Sequence, residues 1–167
     1  MKVLIIGGVA GGASTAARLR RKDEKAEIIM FERGEHISYA SCGLPYYLSD
    51  TISQRDNLLV MTPEKFKNLL NVDVRVNSNV IAINRDDKTI TVQDVNTQKT
   101  YEESYDKLVL SPGAKPFIPP MEGTDSDRIF TLRNVNDADK IKEKISPEIS
   151  PEKFYHGTEQ GIKHDIA

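Results

Sequence analysis

The sequence predicts an α/β fold built on a parallel sheet, and three observations near the start of the chain carry that prediction. A short apolar run, "KVLII" (Lys2 to Ile6), leads into the glycine-rich turn "GGVAGG" (Gly7 to Gly12). Strong helix formers follow, "ASTAARLRRK" (Ala13 to Lys22), and then a second apolar run, "AEIIMFE" (Ala26 to Glu32). Short continuous apolar runs suit strands buried on both faces. Strand, helix and strand within about thirty residues is the size of a crossover unit joining parallel strands.

Each element has a local reason. Ala13, Ala16 and Ala17 share one helical face, and their small side chains let a helix over Gly12 to Lys22 lie close to a sheet. "TPEKFKNLL" (Thr62 to Leu70) carries a helix start, with Thr62 as N-cap and proline at the first helical position. "VDVRV" follows. "NVIAINRDDKTITVQDV" then alternates on both sides of "RDDK", the pattern of an antiparallel hairpin separate from the parallel sheet. "YDKLVLSPGAKP" gives a further apolar strand ending in a Pro-Gly turn, and "RIFTL" with the polar helix "NVNDADKIKEKI" (Asn134 to Ile145) closes the patterned part. From Ser146 to Ala167 periodicity stops, and this tail is expected to be disordered or loosely docked. The predicted organisation is one domain over residues 1–145 and a tail over 146–167.

Composition narrows the function classes. The chain has 167 residues, 38% hydrophobic and 29% charged, as in an ordinary soluble domain with a real core. A formal net charge of −2 gives no electrostatic footprint for nucleic acid. The apolar run at the start is broken by glycines after about five residues, shorter than the core of a secretion signal, and nothing approaches a membrane span. The single cysteine, Cys42, excludes an internal disulfide framework and fits a reducing cytoplasm. His36, His156 and His164 are scattered without metal-ligand spacing and are read as surface residues; no metal is expected.

The glycine turn stands where a strand ends and a helix begins, which is the context a dinucleotide fingerprint needs. Gly7 permits the tight turn, Gly12 lets helix and strand approach, and the helix N-terminus offers free N–H groups to a pyrophosphate. Glu32, twenty residues beyond Gly12 at the end of the second strand, is placed to accept hydrogen bonds from a ribose diol. The departure is Val9 at the middle glycine position, where a side chain hinders the pyrophosphate unless it points away. Without a ligand, the same turn serves only tight packing.

"LIIGGVAGGASTAARLRR", "IIMFERGEHISYASCGLPYYLS", "TPEKF" and "ESYDKLVLSPGAKP" together resemble the amino-terminal flavin domain of the pyridine nucleotide–disulfide oxidoreductases. The branch they most resemble is that of coenzyme A-disulfide reductase and its persulfide-reductase relatives, from Met1 to about Ile145. The resemblance implies a Rossmann-like FAD/NAD(P)-binding three-layer α/β fold with a small antiparallel β-meander. It implies FAD on Gly7, Gly8, Ala10, Gly11, Gly12, Glu32 and Arg33, with Ser111, Pro112 and Gly113 passing near the flavin. NAD(P)H is the electron donor of the full-length family enzyme, and full-length relatives are homodimers.

Cys42 lies in "SYASCGLPYY" (Ser38 to Tyr47). Read without the resemblance, it is either a reactive thiol or a small apolar filler. Glutathione-reductase-type members carry a second cysteine five residues on, where this sequence has Tyr47. The coenzyme A branch uses one, which forms a mixed disulfide with substrate, and Cys42 matches it. A bend opening a short helix favours the thiolate, the attacking species.

By the same resemblance Ser14, Arg18, Arg21, Ser38 and Ser41 line the path of coenzyme A disulfide or a related thiol substrate. Ser14, Arg18 and Arg21 also share a helix face by spacing, where guanidinium groups meet an acidic nucleotide or simply form a solvated basic surface. Ala10 stands where peroxide- and oxygen-reducing relatives usually have histidine, which favours disulfide or persulfide chemistry. The second glycine motif of the family, for NAD(P)H, is not found in this sequence. The expectation is therefore a reductase by ancestry but an inactive fragment alone, or else a non-catalytic flavin-binding remnant or an NADH oxidase- or peroxidase-like member.

Overall fold

The structure is a computed structural model and describes residues 1–145; the expected tail lies outside the described residues. Four parallel strands form the central sheet in the order β3 (Asp73–Arg75), β2 (Glu27–Phe31), β1 (Lys2–Ile6) and β7 (Lys107–Leu110). The register pairs Leu4 with Ile29 and with Leu108. Both predicted strands therefore lie side by side in one sheet, joined by helix α1 (Gly11–Lys22).

The two faces of this sheet explain why its strands read as unbroken apolar runs. Val3, Ile5, Ile28 and Met30 point to one side and pack with Ala13 and Ala16 of α1 and with Phe66 of α3 (Pro63–Leu70). Leu4, Ile29 and Phe31 point to the other and pack against Ile90 and Val92 of a second sheet. That sheet is the antiparallel meander β4 (Ser78–Asn84), β5 (Thr89–Asp94), β6 (Thr100–Ser104). Helices, parallel sheet and meander make the three expected layers. Leu4 and Ile5 are fully buried, each contributing about 1.5–3 kcal/mol relative to exposure.

The caps follow the sequence. Thr62 Oγ1 accepts from Lys65 N–H at 3.3 Å to start α3, which ends at Asn71 in the left-handed region. Asn134 and Asp137 cap α4 (Val135–Ile145) reciprocally: Asn134 Oδ1 accepts from Asp137 N–H, and Asp137 Oδ2 accepts from Asn134 N–H.

The predicted hairpin is formed by β4 and β5, and β6 adds at its edge to complete the meander. "RIFTL" forms no strand, and Ile129 and Phe130 are exposed. The Arg20 guanidinium of α1 donates to the carbonyls of Leu70, Asn71, Asp23 and Glu24, satisfying the ends of α3 and α1 together.

Candidate active site

The carboxyl ends of β1, β2 and β7 meet at one edge of the parallel sheet. Here β1 has β2 on one side and β7 on the other, which is the switch point where ligands of open α/β sheets settle. The backbone at this edge is fixed by its own bonds. Gly7 N–H donates to Phe31 O at 2.8 Å and Ser111 N–H to Ile6 O at 2.7 Å. Gly7 has φ +95°, and a Cβ there would fall on the Ser111 carbonyl oxygen. A Cβ on Gly12 would fall on the Gly7 carbonyl oxygen. These two glycines let β1, α1 and the segment after β7 approach closely.

Glu32 closes the turn from the side. Its Oε2 accepts from the buried Gly8 N–H at 2.8 Å and its Oε1 from Gly34 N–H at 2.9 Å. Each oxygen keeps acceptor capacity for a further donor. Gly8 also accepts from Ser38 N–H at 3.0 Å, and Ser38 O accepts from Val60 N–H at 3.1 Å. Ser38 achieves this double link with φ +46°, a left-handed conformation unusual for serine. Through Ser38, the segment that carries Cys42 is fastened to the glycine turn.

Between these walls lies a cleft of about 300 Å³. Of the residues predicted to bind cofactor, Ala10, Gly11, Glu32 and Arg33 line it from one side, and Ser111, Pro112 and Gly113 from the other. Gly7, Gly8 and Gly12 stand behind the lining as its framework. Val9 is half-buried and faces the cleft, so the departure from a glycine at that position remains part of its wall. Of the residues predicted to meet substrate, Ser41 alone reaches the cleft. Ser14, Arg18 and Arg21 are exposed along α1, and among the described residues neither guanidinium has an ion-pair partner.

Cys42 is exposed, in a short 3-10 turn (Ser41–Gly43) that runs directly into α2 (Leu44–Leu48). The turn is held by Gly43 N–H on Ala40 O and by Ala40 N–H on Leu58 O, with no acidic residue in its first turn. Its thiol is therefore open to a soluble partner rather than packed as core. Among the described residues no group of three or more potential metal ligands comes together. No helix among them is long and apolar enough to cross a membrane.

Sequence reasoning missed part of the cleft. Tyr39, Arg133, Asn134 and His36 line it. Arg133 Nε donates to Ala114 O at 2.9 Å, tying the loop after β7 to the start of α4. Burial raises the Tyr39 phenol above its ordinary range; the Arg133 charge opposes this, and the carboxylates of Glu32 and Asp137 add to it. Tyr39 therefore stays protonated at neutral pH, its hydroxyl 3.5 Å from Arg133 O. His36 is not a free surface residue: it is half-buried and bonded to Arg55. The N-cap of α4 was the available signal for Asn134; nothing in spacing pointed to Arg55. His156 and His164 lie outside the described residues.

The residues present fit a dinucleotide. The helix N-terminus of α1 has no side-chain cap, which leaves its first N–H groups for a pyrophosphate. The Glu32 carboxylate stands at the next strand end with acceptor capacity to spare.

Comparison with known proteins agrees. The profile of the pyridine nucleotide-disulphide oxidoreductase family matches residues 1–155. The chain is 44% identical over 144 residues to coenzyme A disulfide reductase of Staphylococcus haemolyticus (strain JCSC1435), covering 86% of this chain and 32% of that relative. It superposes on reduced CoADR-RHD of Bacillus anthracis with a TM-score of 0.85 at 54% identity, over 88% of this chain and 27% of that one. It superposes on an NAD-dependent persulfide reductase from A. fulgidus with a TM-score of 0.81 at 38% identity, over 86% and 27%. The chain thus spans about a third of the length of the curated relatives it matches. With the family profile matching residues 1–155 of its 167, this chain belongs to the pyridine nucleotide-disulphide oxidoreductase family.

Proposed function

We propose that this chain is the dinucleotide-holding and thiol-bearing part of an FAD-dependent, NAD(P)H-driven reductase of coenzyme A disulfide or a related persulfide, working in the cytoplasm. The observation that carries the reading is the exposed Cys42 on a segment fastened by Ser38 to the glycine turn. The similarity to a coenzyme A disulfide reductase and to a persulfide reductase supports the substrate class.

When bound, FAD supplies the two-electron relay between a nicotinamide and a disulfide. In this reading the N–H groups at the start of α1 receive its pyrophosphate, and Glu32 receives a ribose diol on the lone pairs its two backbone bonds leave free. Arg33, Ser111, Pro112 and Gly113 form the remaining walls. Ser14, Arg18 and Arg21 meet the acidic nucleotide end of the substrate from the exposed face of α1. Ser41 borders the thiol, and Ser38 contributes through its backbone.

The chemistry assigned to the chain itself is a thiol–disulfide exchange. The Cys42 thiolate attacks one sulfur of coenzyme A disulfide. A Cys42–coenzyme A bond forms as the substrate S–S bond breaks, and the second coenzyme A leaves as a thiolate that takes up a proton. No net electrons are consumed in this step; releasing the first coenzyme A requires two. Ala10 offers no hydrogen-bonding side chain beside the turn, which favours this chemistry over peroxide reduction.

A flavin-holding module without turnover is the second reading, and it rests on the same cleft. FAD titration of the purified 167-residue chain, followed by the visible absorption of bound flavin, tests the shared part of both. A saturable shift, weakened in Glu32→Gln, supports the cleft assignment. A chain that is folded yet binds no flavin refutes it.

A further inference from the structure

His36 occupies the cleft wall, but its ring is also the end of a polar chain that runs away from the cleft. Arg55, in a 3-10 turn (Arg55–Leu58), places Nη2 3.1 Å from His36 Nε2. The same guanidinium grips Asp139 of α4, with Nε 2.9 Å from Oδ2 and Nη2 2.9 Å from Oδ2. Tyr47 hydroxyl stands 3.4 Å from Asp139 Oδ1. One arginine therefore connects the wall after β2 to the helix whose first turn forms the opposite wall.

The protonation state of His36 follows from its partner. A guanidinium has donors and no acceptor, so Nε2 must offer its lone pair, and the ring is neutral with its proton on Nδ1. Protonating the ring turns an N–H···N bond into two cations facing each other. The other charges around His36 are mixed in sign, and of the carboxylates Glu32 is already engaged by the Gly8 and Gly34 N–H groups. Arg33 and Glu35 flank it on its own segment, Glu32 and Tyr39 lie along the same wall, and Arg133 faces it across the cleft. Asp56 lies beside Arg55, and Asp139 is already engaged by Arg55.

We propose that Arg55 is a positioning residue for the dinucleotide cleft, acting through neutral His36 as a latch that opens when His36 is protonated. The proposal rests on the dinucleotide reading of the cleft given above. With the latch closed, the wall over residues 33–36 keeps a fixed distance from α4. With it open, the His36 side chain loses its tie to α4 while the backbone around it stays held at Gly34 and Ser38, and a dinucleotide must order that side chain on binding.

The test is FAD affinity of the full chain at about pH 8 and at about pH 5.5 for wild type, Arg55→Gln and Arg55→Lys. Wild type should lose roughly tenfold on acidification, the scale of one hydrogen bond to a charged group. Arg55→Gln should bind at about pH 8 as weakly as acidified wild type and lose the pH dependence. Arg55→Lys, which keeps a donor and charge but not the fork, should fall between them. Long-range proton–nitrogen NMR of the wild-type ring, without flavin, should show the Nδ1–H tautomer at about pH 8. An Nε2–H tautomer, or wild-type pH dependence preserved in Arg55→Gln, overturns the latch. If wild type binds no FAD at any pH, the cleft assignment fails and the latch falls with it. Should Arg55→Gln not fold, the lysine variant and the wild-type tautomer decide.

Discussion

Replacing Glu32 by alanine should destabilise the chain before any ligand is added. The carboxylate accepts from two backbone N–H groups, but they are not equivalent. Gly34 is exposed, and water replaces its lost acceptor at little cost. Gly8 is buried between Ile37, Met30 and Glu32 itself, so its N–H loses a partner that water reaches poorly. An unsatisfied buried donor costs about 1–3 kcal/mol, and roughly 2 kcal/mol is expected here. With a urea m-value of about 2 kcal/mol/M, the unfolding midpoint should fall by about 1 M. Glu32→Gln keeps one oxygen for Gly8 and should lose less than half as much. Urea unfolding followed by circular dichroism measures both. A midpoint for Glu32→Ala within about 0.25 M of wild type would refute the view that this acid holds the turn as well as a ribose.

Other outcomes follow from the same contacts. Gly7→Ala should fail to fold or lose several kcal/mol, because its Cβ meets the Ser111 carbonyl at a positive φ; a thermal scan checks this, and a near-native midpoint contradicts it. Thr62→Ala should cost about 1 kcal/mol through the α3 cap, while Thr62→Ser should restore most of it. Burial alone would raise the Glu103 carboxyl, but bonds from Lys2 and Arg75 hold it below its ordinary range. A depressed carboxyl stabilises the fold above its unfolded value, near 4.5, and loses that contribution as the pH falls through its folded value. Glu103→Gln should therefore flatten the acid side of the stability profile below about pH 4.5, and an unchanged slope would count against the network.

What the sequence revealed and what it hid have physical causes. β1, β2 and α1 were legible because each is buried on a face its own residues specify, and the glycine turn is dictated by backbone contact with Ser111 and Gly7. The meander's third strand was hidden because "TYEES" is an exposed edge with no apolar alternation; it is held by pairing to β5 and by Glu103 reaching Lys2 and Arg75. In the site, the glycines, Glu32 and Cys42 carried local signals. His36, Arg55 and Asp139 did not, because their contacts join segments 19 and 84 residues apart in the chain. The left-handed Ser38 was matched by resemblance as a substrate residue, yet its visible role is a backbone link that no spacing discloses.

The central claim is that Cys42 is a working thiol, and intact mass spectrometry of the folded chain after exposure to coenzyme A disulfide tests it most directly. The account predicts one coenzyme A per chain on wild type, none on Cys42→Ser, release of the adduct by dithiothreitol, and no sustained NAD(P)H consumption by the 167-residue chain. A folded wild-type sample that stays unmodified would contradict the claim and return Cys42 to an inert surface residue.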